Sequence, residues 1–183
     1  MDATIMTAQR PLQGLSDDPL APENLHRHAC ALIRSMRTMV LATQDHQGPW
    51  AAPVYYVYVE PSFCFFSSPN ARHVQRTQPD DLVAAAIFAD SDQWQEIQGL
   101  QMSGHLREIS KRTDQLKSIG RFLARFPFAV PFLRPSKSES ADVVPEVAEK
   151  VRIYAFTPKE SYYVNNHLAF GKRLPVELRR RKK

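Results

Sequence analysis

The 183-residue sequence predicts a mainly β domain, with six or seven short antiparallel strands forming a small barrel flanked by a few helices. Three observations carry this. Short runs rich in Val, Ile, Tyr, Phe and Thr recur between turn signals. Three of them, residues 38–43, 50–59 and 63–66, are joined by the tight turn stretches 45–48 and 60–62, the pattern of an antiparallel meander. The composition, 43% hydrophobic and 23% charged, supplies a core without covalent help. Two cysteines are too few for a disulfide framework or a zinc cluster.

Residues 1–21 carry Pro11, Gly14 and Pro19 without periodicity and read as a flexible arm. From Pro22 the pattern turns helical: Leu25, Ala29, Leu32, Ile33 and Met36 recur at three- and four-residue steps, and Pro22 suits a first helical turn. The run 38–43 is a strand. The run 50–59 is apolar on both faces, so one face belongs to the barrel interior and the other to a helix or a second subunit. Pro53 denies that strand one ladder donor, which places it at an edge or a bulge. Residues 63–66 return the chain, and Ser68-Pro69-Asn70 opens a short helix to about residue 78, with Ser68 or Asn70 as cap. Residues 82–88 read as a buried strand and 89–96 as a polar loop containing Trp94. Residues 97–109 form a long strand with bends expected at Gly99 and Gly104.

A second amphipathic helix spans 111–126, with Leu116, Ile119, Phe122, Leu123 and Phe126 on one side. Residues 127–149, with four prolines, read as a loop insertion. Two further strands are expected at 151–156 and 161–164, then a loop over 165–173 and a last extended piece at 174–178. The domain thus covers residues 22–178 and ends in a basic tail, 179–183.

Lys and Arg number 24 against 19 Asp and Glu, a net charge of +5. The last five residues are all basic, so the excess sits entirely in the tail. With no aromatics there to stack bases, and no recognition module elsewhere, nucleic acid is not an expected partner. The longest apolar run, 82–89, falls far short of the ~20 residues that span a bilayer. The acidic N-terminus has no secretory h-region, so the expected location is the cytoplasm.

No glycine-rich phosphate loop of either common type is present. On the first helix His26 and Cys30 share a face while His28 points elsewhere, so the three do not converge on a metal. Neither cysteine sits in a CxxC pair or beside an activating motif, and both read as inert thiols. The strongest feature is the segment 63–76. A strand ending in Ser67 and Ser68 feeds a helix start, where free N–H groups and the helix dipole favour an anion. Arg72 falls in the first turn, able to fork onto phosphate oxygens. The plain alternative is a capped surface helix with a solvated arginine.

The strings Thr38-Met39-Val40-Leu41-Ala42-Thr43, Ala51-Ala52-Pro53-Val54-Tyr55-Tyr56-Val57, Phe65-Phe66-Ser67-Ser68-Pro69-Asn70-Ala71-Arg72-His73-Val74 and Gly99-Leu100-Gln101-Met102-Ser103-Gly104-His105-Leu106 resemble, in that order, the pyridoxamine-phosphate-oxidase-like flavoprotein superfamily. The stretch Asn165-Asn166-His167-Leu168-Ala169-Phe170-Gly171-Lys172, with Arg125-Phe126-Pro127, resembles a poorly characterised bacterial branch of it. The resemblance implies an antiparallel split β-barrel with Greek-key character, a homodimer, and FMN in a groove between subunits. It implies that Val54, Tyr55, Tyr56 and Val57 offer backbone groups to the flavin ring. By the same resemblance Ser67, Ser68, Arg72 and His73 hold the phosphate, Gln101 contributes from a facing region, and Trp94 covers the ring. His73 stands where a lysine is common, which implies a pH-dependent phosphate affinity. The residues that hold substrate phosphate in true pyridoxamine-phosphate oxidases have no match, so the substrate is not carried over. The expected activity is a flavin-dependent oxidation or reduction of a small molecule. The alternatives are a haem-handling member of the fold, with His167 or another histidine as axial ligand, and a cofactor-free dimeric binding module.

Overall fold

The chain is described by a computed structural model covering residues 16–75, 77, 81–133 and 151–179. Helix α1 (Pro22–Ser35) buries Leu25, Ala29, Leu32 and Ile33, the stripe that its three- and four-residue spacing lays on one face. Residues 16–20, which the sequence assigns to the arm, wrap the start of this helix. The buried Asn24 amide donates to the carbonyls of Ser16 (2.8 Å) and Asp18 (2.7 Å).

Eight strands follow: β1 (Thr38–Asp45), β2 (Gly48–Tyr55), β3 (Val57–Val59), β4 (Ser62–Ser67), β5 (Leu82–Phe88), β6 (Gln98–Glu108), β7 (Arg152–Asn165) and the two-residue β8 (Leu174–Pro175). They form one antiparallel sheet in the order β2-β1-β5-β6-β7-β4-β3, with β8 paired to β7. The sheet curls so that its first strand, β2, returns beside β4 without ladder hydrogen bonds between them. That open seam makes the barrel split. The β1–β2 turn closes on Gly48 at φ +103°, a conformation that glycine adopts without steric cost.

The run 50–59 is two strands rather than one. Tyr56 leaves the ladder because its ring is fully buried, its hydroxyl donates to the Ile33 carbonyl (2.8 Å), and its N–H donates to the Arg37 carbonyl (3.2 Å). Conversely, the strands expected at 151–156 and 161–164 are one 14-residue strand, β7. A register shift between Ser103 and Gly104 of β6 absorbs one extra residue of β7, so pairing continues through the polar stretch between them. Strand β5 has the expected bounds but is covered on one face only: Val83, Ala85 and Ile87 point into the core, while Leu82 and Phe88 are 54% and 59% exposed.

Helix α2 (Arg72–Gln75) is a single turn, shorter than the expected helix; residues 76 and 78–80 lie outside the described part. Helix α3 (Arg112–Arg125) buries Ser118 and Phe122, while Leu116, expected on the apolar side, is exposed. The face that meets the sheet runs through residues 118, 122 and 125, one helical turn apart, and Leu116 falls off that stripe. The start of the expected loop insertion folds as a 3-10 turn (Pro127–Ala129) and helix α4 (Val130–Leu133). Residues 134–149 of that insertion, and 180–183 of the tail, lie outside the described residues. The main core fills the barrel with Met39, Leu41, Tyr56, Phe63, Phe65, Ile87, Leu100, Phe156 and Tyr163 under α1. A second cluster, Val57, Cys64, Phe122, Phe126 and Ala129, packs α3 against the outside of β3 and β4. Among the described residues, no helix is long and apolar enough to cross a membrane.

Candidate functional site

The seam between β2 and β4 gathers the residues expected to hold a phosphate. Strand β4 ends at Ser67, a turn follows, and α2 then packs against β1 and β2. The Ser68 hydroxyl accepts the Asn70 N–H (3.1 Å) and the Ser68 carbonyl accepts the Ala71 N–H (3.0 Å), so residues 68–71 form a turn rather than the first turn of the helix. Ala71 takes the place at the helix start that the sequence suggests for Ser68 or Asn70, since its carbonyl accepts the Val74 and Gln75 N–H groups. A single helical turn carries little macrodipole, so charge here comes from side chains.

Arg72 supplies that charge. Its guanidinium lies 4.2 Å from the centre of the Trp50 ring, a cation–π contact across the seam from α2 to β2. Its Nε is buried and has no hydrogen-bond partner among the described residues. Beside it the Ser67 hydroxyl and His73 Nε2 are 2.9 Å apart. Burial lowers the His73 pKa below its ordinary value. The ring is therefore neutral near pH 7, and the pH dependence that its place in the family pattern implies moves to lower pH. Trp50 was not visible as a site residue in the sequence. Its signal is the strand's alternation, read with the cross-strand register Thr43↔Trp50, which needs the fold.

The four residues expected to meet a flavin ring divide. Strand β2 is the terminal strand, hydrogen-bonded to β1 on one side, so its other edge faces the seam at Val54 and Tyr55. Tyr56 and Val57 do not share that edge: Tyr56 is turned into the core, and Val57 pairs with Cys64. The Tyr55 ring lies outward against Phe126 and Phe128 at 5.2 and 5.4 Å.

Gln101 is exposed on the outer face of β6, in register with Ala86 of β5 and Tyr162 of β7. Three strand spacings separate β6 from β2, about 14 Å, so within one chain Gln101 does not join Arg72. Trp94 stands on a 3-10 turn (Trp94–Glu96), edge-on to Phe170 at 4.9 Å, and Asn166 Nδ2 donates to its carbonyl (2.8 Å). The single chain therefore brings together Ser67, Ser68, Arg72 and His73 beside β2, and leaves Gln101 and Trp94 on other surfaces.

The outer face of the sheet between these surfaces is small and apolar. Pro53, Val40 and Ala86 lie in one cross-strand row ahead of Gln101; Ala51, Ala42 and Ala84 lie in the next, ahead of Ser103. Ala42, Ala51, Pro53 and Ala84 are exposed.

No family model matches this sequence, and no curated protein matches it. Solved structures do. A haem-binding protein from Mycobacterium smegmatis superposes with a TM-score of 0.63 at 16% identity over 83% of this chain; this chain spans 57% of its length. A candidate pyridoxamine 5′-phosphate oxidase from Listeria innocua gives 0.57 at 11% identity, covering 77% of this chain and 98% of that one. An FAD-binding protein from Mesorhizobium loti gives 0.55 at 12% identity, covering 74% and 90%. These likenesses define the fold: the chain has the split-barrel fold of pyridoxamine 5′-phosphate oxidase-like proteins, a fold with flavin and haem binders among its members.

Proposed function

We propose that the protein is a homodimeric FMN-binding split-barrel protein, a flavin-dependent oxidoreductase on a small molecule. One observation carries the reading: Arg72 is held over Trp50 with a buried Nε–H lacking an acceptor among the described residues, and the adjoining His73 has its Nε2 2.9 Å from the Ser67 hydroxyl. An unmet buried donor costs about 1–3 kcal/mol, and a phosphate oxygen is the acceptor that relieves it best. Bound flavin would supply the electron transfer. The chain's own groups do the rest. Arg72 neutralises the phosphate. A neutral His73 that donates from Nε2 to the Ser67 oxygen leaves the Ser67 proton aimed outward, so the pair acts as a net donor. The backbone of β2 at Val54 and Tyr55 orients the ring. The apolar outer face supports a second copy, whose Gln101 and Trp94 complete the site from the facing side.

Haem is the second reading, favoured by the likeness to the mycobacterial haem-binding protein. His167 suits it: the residue is exposed in the β7–β8 loop, where its N–H is tethered to Asn165 Oδ1 (2.9 Å). A cofactor-free binding module is the third. The absorption spectrum of freshly purified protein separates them by flavin bands, a Soret band, or neither. Titration then tests the site. Arg72→Ala is expected to weaken FMN by about 10- to 100-fold, the loss of one charged hydrogen bond of ~1.5–3 kcal/mol. Riboflavin, lacking the phosphate, is expected to bind both proteins equally and poorly. Equal FMN affinity in the two proteins would place the phosphate elsewhere.

A further inference from the structure

A groove of about 1470 Å3 runs between α1, the β3–β4 turn, α3 and the segment after β8. None of the residues assigned above to the flavin site lines it. Cys30 and His26 do, one helical turn apart on α1. Cys30 Sγ lies 3.4 Å from His26 Nε2, and His26 Nδ1 lies 2.8 Å from the Glu177 carbonyl oxygen. A carbonyl only accepts, so Nδ1 carries the ring proton and donates it. Nε2 of the neutral ring is then a lone pair, and the Cys30 thiol is the donor that faces it. A nucleophile, a base and a group that fixes the base's tautomer stand in sequence. The sequence reads Cys30 as an inert thiol; the carbonyl that orients His26, out of reach of that reading, comes from a segment 151 residues further along the chain. Cys64 is the contrast, buried to 3% exposure, with its thiol pushed up by that burial.

The groove's charge selects the substrate. Arg27, Arg34, Lys117, Arg121, Lys159 and Arg179 line it, against Glu23, Glu60, Glu160 and Glu177. Burial raises the phenol pKa of Tyr58, also at the wall, so it adds no negative charge to the groove. The balance is cationic, and the four residues that follow Arg179 in sequence are all basic.

We propose that Cys30 and His26 form a reaction site for small anionic disulfides, which they take up by thiol–disulfide exchange. His26 Nε2 accepts the Cys30 proton as Sγ attacks one sulfur of the disulfide. The new Sγ–S bond forms as the old S–S bond breaks, and the departing thiolate takes the proton from His26. One disulfide replaces another and one thiol is released, so no further oxidant is needed.

The test uses the full chain with two probes, the dianionic 5,5′-dithiobis(2-nitrobenzoate) and the neutral 4,4′-dithiodipyridine. Rates are followed by stopped flow against N-acetylcysteine, with peptide mapping of the labelled cysteine. The label is expected on Cys30, at least about tenfold faster than on the free thiol. The advantage is expected to be larger for the anionic probe and to shrink with added salt. His26→Asn keeps a side-chain N–H for the Glu177 carbonyl but removes Nε2. It is expected to fold, to lose at least about tenfold in rate, and to show the pH–rate profile of a plain thiol. A folded His26→Asn that reacts like the unsubstituted protein overturns the proposal. So does an unsubstituted Cys30 that reacts no faster than N-acetylcysteine, a comparison that needs no variant to fold. Equal acceleration of both probes overturns the anion preference.

Discussion

Arg125 ties three parts of the molecule with one side chain. From the end of α3 its guanidinium donates to the carbonyls of Ile33 (3.4 Å), Arg34 (3.0 Å) and Met36, and it lies 5.3 Å from the centre of the Tyr56 ring. The last carbonyls of α1 have no helical partners, and a cation there also answers the helix dipole. Arg125→Met keeps the aliphatic stem and removes the donors. The expected loss is about 1.5–3 kcal/mol, a fall in Tm of roughly 3–12 °C by thermal melt; an unchanged melt would show the contact idle. His73 makes a second prediction at this scale. Its pKa is lowered on folding by burial, so below about pH 6.5 the unfolded chain binds more protons than the folded one. Stability from this group is present above that pH and is lost as the pH falls toward the folded value. The Tm of the wild type should therefore drop between pH 7 and 5.5 more than that of His73→Gln. Parallel melting curves across that window would contradict it.

Among the elements, the β6–β7 ladder shows how local geometry sets a strand's length. A Cβ at Gly104 would stand 2.2 Å from the Thr157 carbonyl oxygen and 2.8 Å from Pro158 Cα, so the backbones meet there because no side chain intervenes. Gly104→Ala must push the bulge apart, at a cost on the order of 3 kcal/mol, the upper end for overpacking. Gly120, in the exposed middle of α3, meets nothing within 4 Å. Gly120→Ala is expected to stabilise by about 0.4–1 kcal/mol by lowering the freedom of the unfolded chain. Chemical denaturation of the two variants should move the midpoint in opposite directions; a shift in the same direction would remove the account of one of them.

Among the described residues, one side of the sheet is left uncovered. Leu82, Phe88, Ala42, Ala51, Pro53 and Ala84 form an exposed apolar face, the kind of surface on which the proposed dimer would rest. In the proposed dimer a second copy buries this face and supplies its Gln101 and Trp94 to the Arg72 seam. The protein is expected to sediment as a dimer at micromolar concentration, and Ala84→Arg, a charge at the centre of that face, to give a folded monomer that binds FMN poorly. A wild-type monomer, or a monomeric Ala84→Arg with full FMN affinity, would show that the site is built within one chain.

By itself the sequence determined the order of the elements, because period-two and three-to-four spacings are local properties of the chain. It placed α1 at its start, β5 at its bounds, and the long β6 with two marked glycines, one of which, Gly104, sits at the register shift. It also placed Ser67, Ser68, Arg72 and His73 together, since they are neighbours along the chain. What it could not carry depends on contacts between distant segments. Tyr56 breaks its strand because Ile33 and Arg37 offer it partners. The two C-terminal runs merge because β7 can bulge opposite Gly104, where the carbonyl of Thr157 leaves room for no Cβ. Trp50 meets Arg72 only once the sheet has curled β2 back beside β4. Cys30 faces a directed base only because the Glu177 carbonyl holds the proton on the other nitrogen of His26. Periodicity is written within a few residues, whereas tautomers, seams and bulges are decided by whichever remote backbone the fold brings alongside.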